Sequence, residues 1–102
     1  SIQYIRVELP LLIYVPNSFT PNGDNMNDVF KAEGDGIMEY ELTVYDRLGH
    51  TVFYTNDIHE GWDGTVKHTN QPASSGSYAY SISLKDLKGH KHTYHGMVNL
   101  IR

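Results

Sequence analysis

The chain has 102 residues, eight Lys plus Arg against twelve Asp plus Glu, a net charge of −4 with the histidines neutral, and 39% apolar residues. That suits one globular domain, is too short for two independent cores, and supplies no basic stripe for nucleic acid. There is no cysteine, which excludes a disulfide framework and thiol chemistry but leaves the redox compartment open.

The chain opens at Ser1 with neither a charged n-region nor an apolar h-region, so no secretory signal is read there. The missing initiator Met leads us to expect a piece cut from a longer protein. Residues 1–102 are read as a single domain, with residues 1–13 a first strand region that can include the end of an upstream linker. Leu11, Ile13 and Val15 alternate up to Pro16. The run Leu11-Leu12-Ile13-Tyr14-Val15 is the longest apolar stretch, far short of a spanning helix, so no insertion into a bilayer is expected. Residues 16–30 then form an unusually polar loop.

Beyond the loop, helical periodicity is nearly absent and alternation takes over. Met38, Tyr40, Leu42 and Val44 occupy every second position, with Glu39, Glu41 and Thr43 between them. This predicts a half-buried strand with the glutamates outward. Asp46-Arg47-Leu48-Gly49 should turn that strand into one around Val52, Phe53 and Tyr54. Residues 68–76 read as a surface loop. Tyr78, Tyr80, Ile82 and Leu84 alternate in the same way, and Asp86-Leu87-Lys88-Gly89 should turn them into a last strand. There Tyr94, Val98 and Leu100 share one face and Met97 and Ile101 the other. Both turns end in glycine after an acid and fit short hairpin loops with the glycine left-handed. Eight tyrosines suit a sheet dry on one face and wet on the other. Six or seven strands at this spacing predict an all-β fold of two antiparallel sheets packed face to face. A monomer is expected, though strand spacing does not set the oligomeric state.

Three clusters could carry chemistry. Asn22-Gly23-Asp24-Asn25-Met26-Asn27-Asp28 places five amide or carboxylate side chains in seven residues. Dense oxygen ligands suit calcium, with Asn22, Asp24, Asn27 and Asp28 as candidate ligands. Met26 sits where a ligand belongs, however, and no flanking helices are predicted, which excludes an EF-hand. The other reading is an Asx-rich turn whose side chains bond their own backbone. Gly61-Trp62-Asp63-Gly64 could stack a sugar on an exposed indole. Set against that, the single Trp would anchor the core while Asp63 holds the turn. His90 and His92 share a strand face, but His95 points to the other, so the three make a poor metal site and read as a solvated basic turn. No nucleophile elbow surrounds Ser74 and Ser75, no carboxylate pair is brought together by any pattern, and no Gly-rich phosphate loop precedes a helix, so catalysis is not expected.

Several motifs, taken in order, resemble one family. They are Val15-Pro16-Asn17-Ser18-Phe19-Thr20-Pro21-Asn22-Gly23-Asp24, Asn27-Asp28-Val29-Phe30, Val44-Tyr45-Asp46-Arg47-Leu48-Gly49, Val52-Phe53, Gly61-Trp62-Asp63-Gly64, Gly76-Ser77-Tyr78-Ala79-Tyr80 and Gly96-Met97-Val98-Asn99-Leu100-Ile101-Arg102. From about Tyr14 to Arg102 the chain resembles the gliding motility-associated C-terminal domain, the type B C-terminal domain of the type IX secretion system of Bacteroidetes. The resemblance implies an immunoglobulin-like β-sandwich of about seven strands at the end of a large exported protein. It also implies a non-catalytic sorting signal that directs this cargo through the periplasm and the outer-membrane translocon to the cell surface or medium. A PorP/SprF-like membrane protein would be its partner. The chain departs from the family at Asn25, Leu48 and Ser18, where a glycine, a Trp and a small apolar residue are usual. The alternative is a calcium-stabilised carbohydrate-binding or adhesion sandwich. A folded signal is read through exposed shape, so the recognised surface is expected at the last strand, residues 94–102, through Gly96, Val98, Leu100, Ile101 and Arg102. Asn22, Asp24 and Asp28 are expected to join it.

Overall fold

The computed structural model describes residues 11–23, 28–66, 69 and 71–102. Among these residues nine strands follow in chain order: β1 (Leu12–Tyr14), β2 (Ser18–Phe19), β3 (Glu33–Asp35), β4 (Ile37–Tyr45), β5 (Thr51–Thr55), β6 (Thr65–Val66), β7 (Gln71–Pro72), β8 (Gly76–Asp86) and β9 (Lys91–Leu100). Three of them, β2, β6 and β7, are only two residues long and below what alternation can reveal, which takes the number past the six or seven expected. Of the expected first strand region, residues 1–10 lie outside the described residues.

One five-stranded sheet, in the order β2-β9-β8-β4-β5, organises the domain. Its long strands pair antiparallel, and β2 joins β9 in parallel. The parallel pair is possible because nearly the whole domain lies between its two strands as the crossover. The predicted alternation sets which face is buried. Tyr40, Leu84 and His92 stand in one cross-strand row, Leu42, Ile82 and Tyr94 in the next, and Val44, Tyr80 and Gly96 in a third. Over this face lie the β1–β3 pair, the β6–β7 pair and an isolated bridge between Phe30 and Trp62. Phe19, Phe30, Leu42, Val44, Trp62, Ile82, Val98 and Leu100 are wholly buried between the layers. Each such side chain contributes about 1.5–3 kcal/mol by leaving water. The result is the immunoglobulin-like β-sandwich expected, with its second layer built from short pieces.

Two local expectations need correction. Met38 does not face inward: the β4–β8 register slips between Ile37 and Glu39, leaving Met38 as the extra residue, 56% exposed. Such a bulge turns the following side chains to the other face, and Ile37 takes the inward place instead. Nor is 68–76 only a surface loop. It contributes β7, and the buried Ala73 donates its N–H to the Gly64 carbonyl at 2.7 Å.

The two hairpin turns form as predicted and by the same chemistry. Asp46 Oδ1 accepts the N–H groups of Leu48 and His50, both at 2.9 Å, and Asp86 Oδ1 accepts those of Lys88 and His90, both at 2.9 Å. Gly49 and Gly89 take φ of 83° and 86°, the left-handed region that lets each turn close. Among the described residues no helix is long and apolar enough to cross a membrane.

Candidate recognition surface

The motif residues, scattered along the chain, converge at one end of the sandwich. Trp62 is 0% exposed. Its ring lies 5.2 Å from that of Phe19 and meets Tyr78 edge-on at 4.9 Å, while Phe30 sits 6.2 Å from Phe19 and 5.3 Å from Tyr80. The polar tips are satisfied: Trp62 Nε1 donates to the Thr65 carbonyl at 2.8 Å and the Tyr78 hydroxyl to the Ser74 carbonyl at 2.6 Å. Asp63 binds Thr65 through both its N–H and its hydroxyl, at 3.1 and 2.6 Å, and so holds the turn. An indole this deep cannot stack a sugar, so the carbohydrate reading loses the side chain on which it rested.

The last strand meets the same cluster. The Arg102 guanidinium donates from Nε to the Ala73 carbonyl at 2.9 Å and from Nη2 to the Gly64 carbonyl at 2.8 Å. Its backbone N–H donates to the Ser75 hydroxyl at 3.1 Å. Gly64 has φ of 87°, and a Cβ there would come within 3.0 Å of Arg102 Nη2 and 3.4 Å of a Leu100 methyl. Only glycine supplies both that backbone angle and that space. Arg102 is therefore a clamp between the end of β9 and the two flanks of the β6–β7 pair, Gly64 just before β6 and Ala73 just after β7.

This changes the standing of the predicted recognition residues. Val98 and Leu100 point into the core and offer no side-chain surface. Gly96 lies under Tyr80, whose ring carbon Cζ would be 2.6 Å from an added Cβ, so it is a glycine that makes room for an aromatic ring. Ile101 is 51% exposed, but its N–H is bonded to the Phe19 carbonyl at 3.0 Å. At its end, then, β9 is covered on both edges. The sequence carried a sign of Arg102's role only in its place beside an apolar pair; its partners, 29 and 38 residues away, are set by tertiary structure.

In the polar loop, Asp28 Oδ1 accepts the N–H groups of Asn22 at 3.2 Å and Gly23 at 3.0 Å. The carboxylate shapes backbone, as the Asx-turn reading has it. Asp24 and Asn27, like Asn25 and Met26, lie outside the described residues. Among the described residues no group of three His, Asp or Glu side chains could hold a metal ion. His92 and His90 instead face Asp86, with Nε2 of His92 at 2.9 Å and Nδ1 of His90 at 3.8 Å from Oδ2. The His92 bond, followed by the turn amides, draws the Asp86 carboxyl down to about 2. The Asp46 carboxyl also lies low, chiefly through the His50 amide.

A hollow of about 860 Å³ opens at the far end of the sheet beside Glu39, Glu41, Tyr54 and Lys85. Both glutamates are engaged there. Glu39 pairs with Lys85 at 3.1 Å, and Glu41 accepts the Tyr54 hydroxyl at 3.0 Å.

Residues 13–100 match the model of the CHU_C type IX secretion signal domain. The chain belongs to this family. A CHU_C domain is a sorting signal: it marks a cargo protein for the type IX secretion machinery, and so for the cell surface or release. The match spans all nine strands, from the middle of β1 to the end of β9, and takes in the aromatic cluster. No curated protein matches the chain.

Proposed function

We propose that this domain serves export without catalysing a reaction, as a folded monomeric address that its cargo carries across the periplasm to the outer-membrane translocon. A PorP/SprF-like membrane protein is the receptor in this reading, and no cofactor is required. The single observation that carries it is the family match over residues 13–100. The geometry supports it in a second way. The family's motif side chains are spent on a packed aromatic cluster and a clamp, which give a rigid body whose surface can be read. A surface patch is recognised without chemistry when it is held in one shape before contact.

Recognition falls on exposed parts of two regions: the turn at Asn22 and Asp28, and β9 where its outer edge is not covered. The test is to fuse residues 1–102 to a periplasm-directed fluorescent protein in a host competent for type IX secretion. The reporter should leave the periplasm there and stay inside in a secretion mutant. Retention in both strains would overturn the reading.

A further inference from the structure

Among the described residues the outer edge of β9 is covered only at one end. Asn99 donates its N–H outward to the Asn17 carbonyl at 2.9 Å, and β2 pairs only with Asn99 and Leu100. In an antiparallel ladder successive residues turn their backbone groups alternately toward one neighbour and away from it. The β8–β9 register runs unbroken from Gly76 opposite Leu100 to Lys85 opposite Lys91. Lys91, Thr93, His95 and Met97 therefore share the orientation of Asn99, with N–H and C=O directed away from β8. Among the described residues no strand meets them. Upstream of Asn17 the chain passes Pro16 and crosses to the other layer, where Ile13 pairs with Gly34. All four side chains are exposed as well.

An open row of this length is a template for another strand, and proteins blunt such rows unless they use them. Charge indicates what would add. Residues 87–102 hold three Lys or Arg, three His and no carboxylate, whereas residues 28–63 hold nine Asp or Glu and two Lys or Arg. Arg102 is held in its clamp and His90 and His92 face Asp86, so the cation on the open row itself is Lys91. The opposite edge strand of the same sheet, β5, has the sequence Thr-Val-Phe-Tyr-Thr and carries no charge, and the acidic β3, Glu33–Asp35, is only three residues long, so neither strand of a second copy supplies an acidic match for the length of residues 91–97.

We propose that residues 91–97 of β9 form a docking edge to which the export machinery adds an extended, acidic segment as a further strand of the sheet. The amides of Thr93, His95 and Met97 act as donors. Lys91 attracts the carboxylates, and Met97, 56% exposed, offers a flexible apolar contact. This inference rests on the secretion-signal reading.

Proline separates the edge from the fold. At positions 93 and 95 it deletes an outward N–H and no bond to β8, whereas at 94 it would break the ladder. The double variant Thr93→Pro/His95→Pro is made in the reporter fusion and in the free 102-residue chain, and the free chain is melted by circular dichroism. We expect a folded domain and export lowered roughly tenfold or more, as befits the loss of two backbone hydrogen bonds at an interface. A folded variant exported like the unaltered chain would overturn the proposal. Should the prolines unfold the domain, the charge reversal Lys91→Glu/His95→Glu alters only exposed side chains. It should also depress export, and unchanged export would again overturn the proposal. Slow amide exchange at Thr93, His95 and Met97 in the free chain would show the edge already covered, and a dimer lost on proline substitution would assign it to a second copy. Either result defeats the proposal. Failure of the unaltered fusion to be exported, by contrast, defeats the secretion-signal reading itself.

Discussion

The two halves of β9 share one strand and one sheet but have different surroundings. From Val98 onward, Val98 and Leu100 enter the core, β2 pairs along the outer edge, and Arg102 reaches back to Gly64 and Ala73. From Lys91 to Met97 the same strand has β8 as its one neighbouring strand among the described residues, and Lys91, Thr93, His95 and Met97 stand in solvent. The motif Gly96-Met97-Val98-Asn99-Leu100-Ile101-Arg102 mostly covers the first half. A strong motif in a signal domain invites the conclusion that the motif is what the receptor touches. Here the burial of Val98 and Leu100 and the clamp at Arg102 assign most of it to folding. The surface left for a partner lies beside the motif.

Breaking the closed end should cost far more than altering the open half. Trp62→Ala would remove the ring that touches both Phe19 and Tyr78 and leave a large void, at a cost of about 3–5 kcal/mol. Met97→Ala on the open half should change stability by no more than about 0.5 kcal/mol. Urea denaturation of the two variants checks the contrast. Comparable losses would mean that the open half is packed against something and that the two halves are not distinct.

Arg102 tests the clamp at a smaller scale. Arg102→Ala strips donors from the Gly64 and Ala73 carbonyls, which should cost about 1–3 kcal/mol. Arg102→Lys should recover little, because one ammonium on a flexible stem cannot present two donors in a fixed fork. Full recovery by lysine in the same denaturation series would reduce the clamp to a charge effect.

What the sequence disclosed follows from the range of each interaction. The period-two pattern of Leu42 and Val44, or of Ile82 and Leu84, reports burial directly, because a strand turns alternate side chains to opposite faces. The two turns were readable too, since the Asp, the glycine and the amides that the Asp accepts lie within four residues. Met38 was misread because a bulge depends on how β8 pairs, not on β4 itself. The family signature was legible as an ordered set of motifs, but not what its residues do. That the residues of Gly61-Trp62-Asp63-Gly64 and Gly76-Ser77-Tyr78-Ala79-Tyr80 meet at one aromatic cluster is a fact of topology. Which stretch of β9 stays open likewise depends on a two-residue strand some eighty positions upstream.

The smallest expected effect compares the turns themselves, one at each end of the sheet. Asp46 and Asp86 accept the same pair of turn amides, but only Asp86 also meets a His from the facing strand, His92 at 2.9 Å. Its carboxyl titrates near 2 instead of the ordinary 3.8, with the His92 bond the largest cause. A carboxyl held lower in the folded chain than in the unfolded one stabilises the fold above its unfolded value, and that stability is lost as pH falls toward the folded value. The Asp86 contribution should therefore be intact above about pH 4 and fade toward about pH 2. Asp86→Asn keeps an oxygen for the amides and removes the charge, so it should flatten the fall in Tm over that window. Asp46→Asn should flatten it less, because Asp46 is lowered chiefly by the His50 amide and has no cross-strand partner of this kind. Thermal melts of both variants along an acid series decide the point. Equal flattening would show that the turn amides alone set both carboxyls and that His92 adds nothing to the open end.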